Sequence, residues 1–445
     1  MIKHYFQSPV YSILLSVCVT ILCGTLLLAL PVSRHESIAF IDLLFTATSA
    51  TCVTGLLTIP LSSFTAFGKL VILTLIQMGG LGLITLTLFL FSFFADLSLA
   101  TQFMAEKVLE VDSWKKGKKL LRFILLTTGI FELLGTAAIY ASLNNNTYWS
   151  TQETSKKLFY AFFHAVSSFN NAGFTLFADG IKPFSDTMLF IIPTGILVFI
   201  GGFGFISLYE LITYHRQTNK KILYLSLQTR IIISVTFFII AISTLTFLLL
   251  EPYNLSQENN WVHSCIDAVF NAISSRNAGL TTFDIQSLSN ATLFFILIIA
   301  FIGSAPGSSG SGIKVTSFAI LLATIRAVIQ GTLNIRIKER EIARDQVFKT
   351  FCIITLSMSW IVIMFFFLLI LEDTMPFFAL LFEVMSAFTT LGMSLGITAH
   401  LALLSKIIIL TTMFIGRIGS VTLVLAISRS IKTDYHYPEE RIMIS

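Results

Sequence analysis

Eight apolar runs dominate the chain, and their lengths constrain the fold more than any other feature. They occupy residues 10–30, 67–95, 120–140, 187–213, 229–250, 290–302 continuing after an interruption to 328, 349–371 and 402–428. A helix needs about 20 apolar residues to cross a ~30 Å hydrocarbon core, so the runs predict an all-α polytopic membrane protein. Charged residues make up only 12% of the 445, against about 25% in soluble domains. The first run lies in SPVYSILLSVCVTILCGTLLLAL. It is too long for the apolar part of a signal peptide and has no small-residue cleavage site, so it is expected to be retained as a helix.

The basic residues are unevenly placed. With the N-terminus assigned to the cytoplasm, twenty Lys and Arg fall in segments expected inside, among them Lys3, Lys115, Arg122, Lys221, Arg326, Arg336, Lys338 and Arg441. Five fall outside: Arg34, Lys156, Lys157, Lys182 and Arg276. By the positive-inside rule both termini are expected in the cytoplasm. Basic residues spread over short connectors set topology and do not form a nucleic-acid surface. The five cysteines (Cys18, Cys23, Cys52, Cys265, Cys352) show no CxxC or Cys/His spacing and are read as small core residues.

Between the long runs, on the side expected to face out, four shorter segments share one design. They are FTATSATCVTGLLT from Phe45, FHAVSSFNNAGFTLF from Phe163, FNAISSRNAGLTTF from Phe270 and FEVMSAFTTLGMSLG from Phe382. Each carries a glycine (Gly55, Gly173, Gly279, Gly392), at intervals of 118, 106 and 113 residues, and the third copy is one residue shorter between its Phe and its Gly. Self-similarity at a regular period signals a repeat architecture. The period here is long helix, short helix, glycine-bearing loop, long helix. The predicted units are 1–96, 97–216, 217–336 and 337–429, followed by a tail at 430–445. A short apolar segment is too short to span and is expected to re-enter, and irregular backbone at membrane depth survives only where it lines water or is buried in protein. Four such loops around a pseudo-fourfold axis would line a central pore with carbonyl rings, which can replace the hydration shell of a monovalent cation. Glycine permits the positive φ that carbonyl-inward loops require.

These motifs resemble the Ktr/Trk/HKT superfamily of potassium transporters, and most nearly its KtrB/KtrD-like membrane subunit. The resemblance rests on TSATCVTGL, SSFNNAGF, SSRNAGL and SAFTTLGMSLGIT, on FIGRIG at 414–419 and on the Gly/Ser break near 303–314. It implies a potassium filter of backbone carbonyls at Val53-Thr54-Gly55, Asn171-Ala172-Gly173, Asn277-Ala278-Gly279 and Thr390-Leu391-Gly392, with glycine in all four loops going with potassium selectivity. It also implies a homodimer in a bacterial inner membrane, resting on a cytosolic ring of nucleotide-binding regulator subunits of the KtrA/KtrC type. The tail SIKTDYHYPEERIMIS and the basic inner loops are candidate docking surfaces for that ring. Sodium dependence is reported for the family, but no separate sodium site stands out. Arg276, three residues before Gly279, is usual for the family and is expected to point behind the filter, toward an acid or helix C-terminal carbonyls.

Residues 303–312 interrupt an apolar run with eight Gly or Ser, plus Ala305 and Pro306. Unbroken, residues 290–328 would form a helix of about 58 Å, so a break is needed. A flexible polar loop belongs in a wet cavity, where it blocks ions when compact and admits them when displaced. The family has an intramembrane gating loop here. The candidate gate comprises Gly303, Ser304, Ala305, Pro306, Gly307, Ser308, Ser309, Gly310, Ser311, Gly312 and Lys314. Arg417, a mid-membrane cation in the last run, matches the family arginine that meets the loop. It is expected to hold the closed state through loop carbonyls; the alternative is a structural salt bridge to Glu210 or Glu132.

Rival motifs fail on chemistry. In GSSGSGIK, Ile313 separates Gly312 from Lys314, so the phosphate-loop pattern is broken. GGLG at 79–82 and GGFG at 201–204 lie within apolar runs, where close helix packing accounts for them. No nucleotide site is expected in this chain. No Ser/His/Asp set or carboxylate pair suggests an enzyme, and His164 is read as a packed residue. Asp179 and Asp284, six and five residues after their glycines, are either attractors of cations at the outer mouth or solvated loop acids. The alternative function is secondary transport of another small solute through broken helices, but such transporters have two inverted halves.

Overall fold

A triplet of helices recurs along the chain: a long apolar helix, a shorter helix ending at a glycine-bearing loop, and a second apolar helix. The computed structural model describes residues 9–81, 114–216, 225–252, 254–255, 261–332 and 334–419. The first triplet is α1 (Pro9–Ala29), α2 (Phe40–Cys52) and α3 (Ala66–Gly80). The second is α4 (Trp114–Asn145), α5 (Thr154–Phe169) and α6 (Met188–Gly202), followed by α7 (Phe205–Arg216). The third is α8 (Leu227–Leu250), α9 (Trp261–Asn277) and α10 (Asn290–Phe301), with α11 (Val315–Ile329) beyond the Gly/Ser loop. A two-stranded hairpin, β1 (Arg336–Ile337) and β2 (Arg340–Glu341), leads into α12 (Arg344–Leu371), α13 (Phe377–Thr389) and α14 (Leu403–Ile418). Lys3, the loop residues 97–113, the run ends 82–95 and 420–428, and the tail 430–445 lie outside the described residues.

Among the described residues, three helices are long and apolar enough to cross a membrane alone: Lys119–Asn145, Leu227–Leu250 and Arg344–Leu371. The apolar run 290–328 is split by its Gly/Ser loop into α10 and α11. The run 187–213, expected to be one helix, is instead two helices bent by 97°, so GGFG does not lie within a helix. The Gly/Ser loop is the cause. At the end of α6, the Ala305 N–H donates to the Gly202 carbonyl (3.2 Å) and the Ser309 N–H to the Gly201 carbonyl (3.1 Å). Helix-terminal carbonyls need such donors, and here an intruding loop supplies them. Gly204 then turns the chain at φ 92°, with room for no side chain, since a Cβ there would stand 2.8 Å from the Pro306 carbonyl oxygen.

The four short helices have 13, 16, 17 and 13 residues, all below the length of a membrane span. Each packs between the long helices of its own triplet and also against the second apolar helix of the preceding one: α5 on α3, α9 on α6 and α13 on α10. Helix α2 packs on α14, closing the circuit from last triplet to first. The recurrent phenylalanine makes this joint. Phe163 lies in the core of the first triplet, Phe270 in that of the second, Phe382 in that of the third and Phe45 in that of the fourth. All four are at most 3% exposed. Burying a Phe side chain is worth roughly 1.5–3 kcal/mol, so four equivalent knobs fix the neighbours' registers.

An ion pair reinforces the closing joint. Lys406 Nζ on α14 lies 2.7 Å from Asp42 Oδ1 in the first turn of α2, and both side chains are only 14% exposed. Removing one partner strands a shielded charge. Lys406→Met is therefore expected to cost about 3 kcal/mol of stability. Thermal unfolding in detergent checks this, and the double variant Asp42→Asn/Lys406→Met should recover part of the loss.

Candidate functional site

The short helices end in a common way. In α2, α5 and α13 the residue two before the glycine adopts a left-handed conformation: Val53 at φ 56°, Asn171 at 57° and Thr390 at 52°. At each of these ends one N–H bonds back three residues and the next bonds back five, as in Thr54 N–H to Ser49 O (2.8 Å), Ala172 N–H to Ser167 O (2.8 Å) and Leu391 N–H to Ser386 O (2.9 Å). This is the double bond of a Schellman cap, formed here by residues with side chains. Non-glycine residues at positive φ cost of order 1–3 kcal/mol each and persist only where the surroundings impose them. The third triplet differs. Helix α9 runs on through Asn277, and its first left-handed residue is Gly279 itself, φ 68°. The missing residue of the third copy is thus the left-handed one.

Beyond these caps the four glycines meet. A Cβ on Gly55 would stand 2.7 Å from the Ala172 oxygen, on Gly173 2.8 Å from the Ala278 oxygen, on Gly279 2.2 Å from the Leu391 oxygen, and on Gly392 2.1 Å from the Thr54 oxygen. Each glycine therefore abuts the carbonyl that precedes the next glycine, in cyclic order. All four have positive φ, from 68° to 95°. Steric contact and backbone angle exclude a side chain at each position. The flanking residues Leu56, Phe174, Leu280 and Met393 are buried in the cores of the preceding triplets, so apolar packing holds the polar loops.

Further side chains brace the loops from behind. Asn271 donates to Thr282 Oγ1 (2.7 Å). Glu383, fully buried, accepts from Ser394 Oγ (2.8 Å) and from the Thr398 hydroxyl. Thr46, His164, Asn271 and Glu383 each follow the recurrent Phe and each is at most 1% exposed. A polar residue after each recurrent Phe is visible in the sequence, but only His164 stood out there as a packed residue. Arg276 reaches the start of the Gly/Ser loop, Nη2 donating to the Gly303 carbonyl (3.0 Å). Asp284 pairs with Lys182 (3.3 Å), linking two post-glycine loops, whereas Asp179 is exposed.

The Gly/Ser loop lies against these structures. Besides its bonds to α6, Ser309 meets the Asn171 amide (2.7 Å), and Ser311 O accepts from Asn277 Nδ2 (3.2 Å). Inside the loop, Ser308 Oγ donates to Ala305 O (2.6 Å), Ser304 N–H to Ser311 O (3.2 Å) and Lys314 Nζ to Gly310 O (2.7 Å). A carbonyl of Gly307 accepts from Phe205 N–H (3.0 Å), which caps α7. Arg417, buried near the end of α14, donates to the Ser309 and Gly79 carbonyls and to Ser311 Oγ (3.3 Å). Neither Glu210 nor Glu132 is its partner. Glu210 accepts from Ser226 at the start of α8 (2.6 Å), and Glu132 accepts from Asn170 (3.3 Å).

A second recurrence was missed in the sequence. Gly79, Gly201, Gly303 and Gly416 open the motifs GGLG, GGFG, GSAP and GRIG, each 24 or 28 residues after its loop glycine. Three of them are clamped on a short helix: a Cβ would stand 2.0 Å from Thr51 O at Gly79, 1.8 Å from Phe169 O at Gly201 and 1.9 Å from Phe388 O at Gly416. Those carbonyls all belong to the fourth residue before a loop glycine. In the third triplet the same position, Gly303, begins the Gly/Ser loop. Arg417 occupies the place held by Gly80, Gly202 and Ser304 in the other motifs.

With this geometry in place, comparison with known proteins decides the lineage. The pattern of TrkH, described as a cation transport protein, matches residues 10–435. The chain belongs to the TrkH cation transport family. Within reach of it is the Ktr system potassium uptake protein B of Bacillus subtilis, 31% identical over 99% of this chain and 98% of that one. The potassium/sodium uptake protein NtpJ of Enterococcus hirae is 32% identical over 98% of this chain and 97% of its own. The crystal structure of the potassium transporter TrkH from Vibrio parahaemolyticus superposes with a TM-score of 0.67 at 18% identity, covering 88% of this chain and 79% of that one. That likeness fixes the fold. The helices and the family together make this a membrane cation transport protein.

The clamped glycines of this TrkH-family chain differ from Gly129 in α4, where a Cβ would meet nothing within 4 Å. Gly79→Ala should destabilise by about 3 kcal/mol through overpacking, whereas Gly129→Ala should stabilise by about 1 kcal/mol through helix propensity. Melting temperatures of the two purified variants provide the comparison.

Proposed function

We propose that this chain takes up potassium across a bacterial plasma membrane through a selectivity filter made by the four glycine loops. Four units, 1–96, 97–216, 217–336 and 337–429, would surround a pseudo-fourfold pore, with both termini cytoplasmic. The observation that carries this proposal is the cyclic approach of Gly55, Gly173, Gly279 and Gly392, each excluding a side chain by contact with the next loop's carbonyl. The names of the Bacillus and Enterococcus relatives, potassium uptake and potassium/sodium uptake, point the same way. Backbone oxygens of Val53-Thr54-Gly55, Asn171-Ala172-Gly173, Asn277-Ala278-Gly279 and Thr390-Leu391-Gly392 replace the ion's water. The membrane potential drives entry, at ~2.3 kcal/mol per charge per 100 mV. Potassium is cargo, and sodium is its candidate companion.

The Gly/Ser loop is the gate in this proposal, and Arg417 is its latch. Arg417 ties loop carbonyls to Gly79 on α3, and with Lys314 it sets two cations on the route below the filter. Closed, the loop presents both a plug and a positive barrier. Opening would need the bonds to Gly201, Gly202 and Arg417 to part, a change that a cytosolic nucleotide-binding regulator ring under a homodimer would drive.

Rubidium and sodium uptake into proteoliposomes tests both parts. Gly173→Ser is expected to lower rubidium uptake and erode discrimination against sodium, and an unchanged ratio would refute the filter. Arg417→Ala should raise basal rubidium flux by about tenfold, the effect of ~1.4 kcal/mol off a barrier, and flux equal to wild type would refute the latch.

A further inference from the structure

Far from the glycine loops, the end of α11 and the β1–β2 hairpin enclose a cavity of about 640 Å³, lined in part by Ala323, Arg326, Ala327, Arg336, Lys338 and Glu339. The volume is in the range of small-ligand sites. Its frame is held under strain. Lys338 and Glu339 form the two central turn positions at φ 45° and 67°, where hairpins normally carry Asn-Gly. Lys338 is committed to that frame, with Nζ donating to Arg230 O (3.1 Å) and Ser234 Oγ (2.6 Å) on α8.

Arg326 and Arg336 are not committed. Both are exposed, and neither lies within ion-pair distance of a carboxylate among the described residues. Glu341 stands across the hairpin from Arg336, and among the described residues Glu339 is the one acid lining the cavity. Two arginines lining one cavity suit a phosphate group, which arginine grips bidentately.

The surroundings select the bearer of that phosphate. The same turns of α11 expose Leu322 (47%), Ile325 (47%), Val328 (72%) and Ile329 (79%), and the neighbouring first turns of α12 expose Phe348 (71%). A soluble anion has no use for this apolar apron, whereas acyl chains cover it. We propose that the cavity binds the headgroup phosphate of an anionic phospholipid, its chains lying along α11. Helix α11 follows directly on Lys314 and the Gly/Ser loop and is about 22 Å long, so occupancy at one end bears on the loop at the other. Only that effect on flux rests on the transport proposal; the binding does not.

Native mass spectrometry of the full chain, released from nanodiscs of mixed phosphatidylglycerol and phosphatidylcholine, tests the binding directly. Wild type is expected to retain phosphatidylglycerol selectively. Arg326→Gln/Arg336→Gln should weaken retention by about 30-fold, the loss of two basic contacts at an anionic surface, while Arg326→Lys/Arg336→Lys keeps much of it. Equal melting temperatures show that the variants fold. Equal retention of the two lipids, retention unaltered in the Gln variant, or full displacement by millimolar inorganic phosphate would each overturn the proposal. So would a Gln variant that loses self-association instead of lipid, which would assign the face to a second copy.

Discussion

Carbonyl oxygens freed at membrane depth must find donors, because lipid offers none. The Gly/Ser loop answers that demand. It ends α6 by supplying its N–H groups to Gly201 and Gly202, and its own carbonyls are taken by Arg276, Asn277, Lys314 and Arg417. Long cationic side chains suit this work, since a guanidinium brings five donors to several carbonyls at once. The result is an irregular segment built into the protein through bonds within the loop and bonds to α6, α7, α9 and α14.

The glycine loops show the complementary economy. Among the described residues, the carbonyls of Thr54, Ala172, Ala278 and Leu391 that abut the next glycine accept no hydrogen bond, and apolar residues after the glycines hold this backbone in place. Leu56, Phe174, Leu280 and Met393 reach into neighbouring cores, and the serine six or five residues before each glycine accepts the capping N–H groups on its carbonyl. The third loop departs from the pattern by one residue. Without the left-handed position, Asn277 stays on the helix and its amide is free to reach Ser311 O. The helix ends of the second and third copies are thus both bonded directly to the loop that follows α10, through Asn171 and Asn277.

The four loops and the Gly/Ser break were legible in the sequence because glycine at positive φ has few substitutes and because eight Gly and Ser in ten residues cannot pass for a span. The bend after α6 was not. GGFG reads as a packing motif when only one helix is considered, and what turns the chain there is a loop about a hundred residues away in sequence. The clamp at Gly79, Gly201 and Gly416 was hidden for a related reason. In isolation each motif signals close approach, but the partner is a backbone carbonyl, which leaves no mark on composition. Arg417 could be suspected from its charge alone. The family resemblance also pointed it at loop carbonyls, but the Gly79 carbonyl on α3 could not be anticipated, because carbonyls are present at every residue.

The contact between α2 and α14, with Phe45 seated among residues of the fourth triplet and Asp42 held by Lys406, joins the two ends of the chain. During synthesis the other three joints can form as each new triplet enters the bilayer, but this one waits until α14 has left the ribosome. The earliest part of the protein to be inserted is therefore the last to be completed, and until then α2 carries an unfilled socket-partner and an unneutralised aspartate.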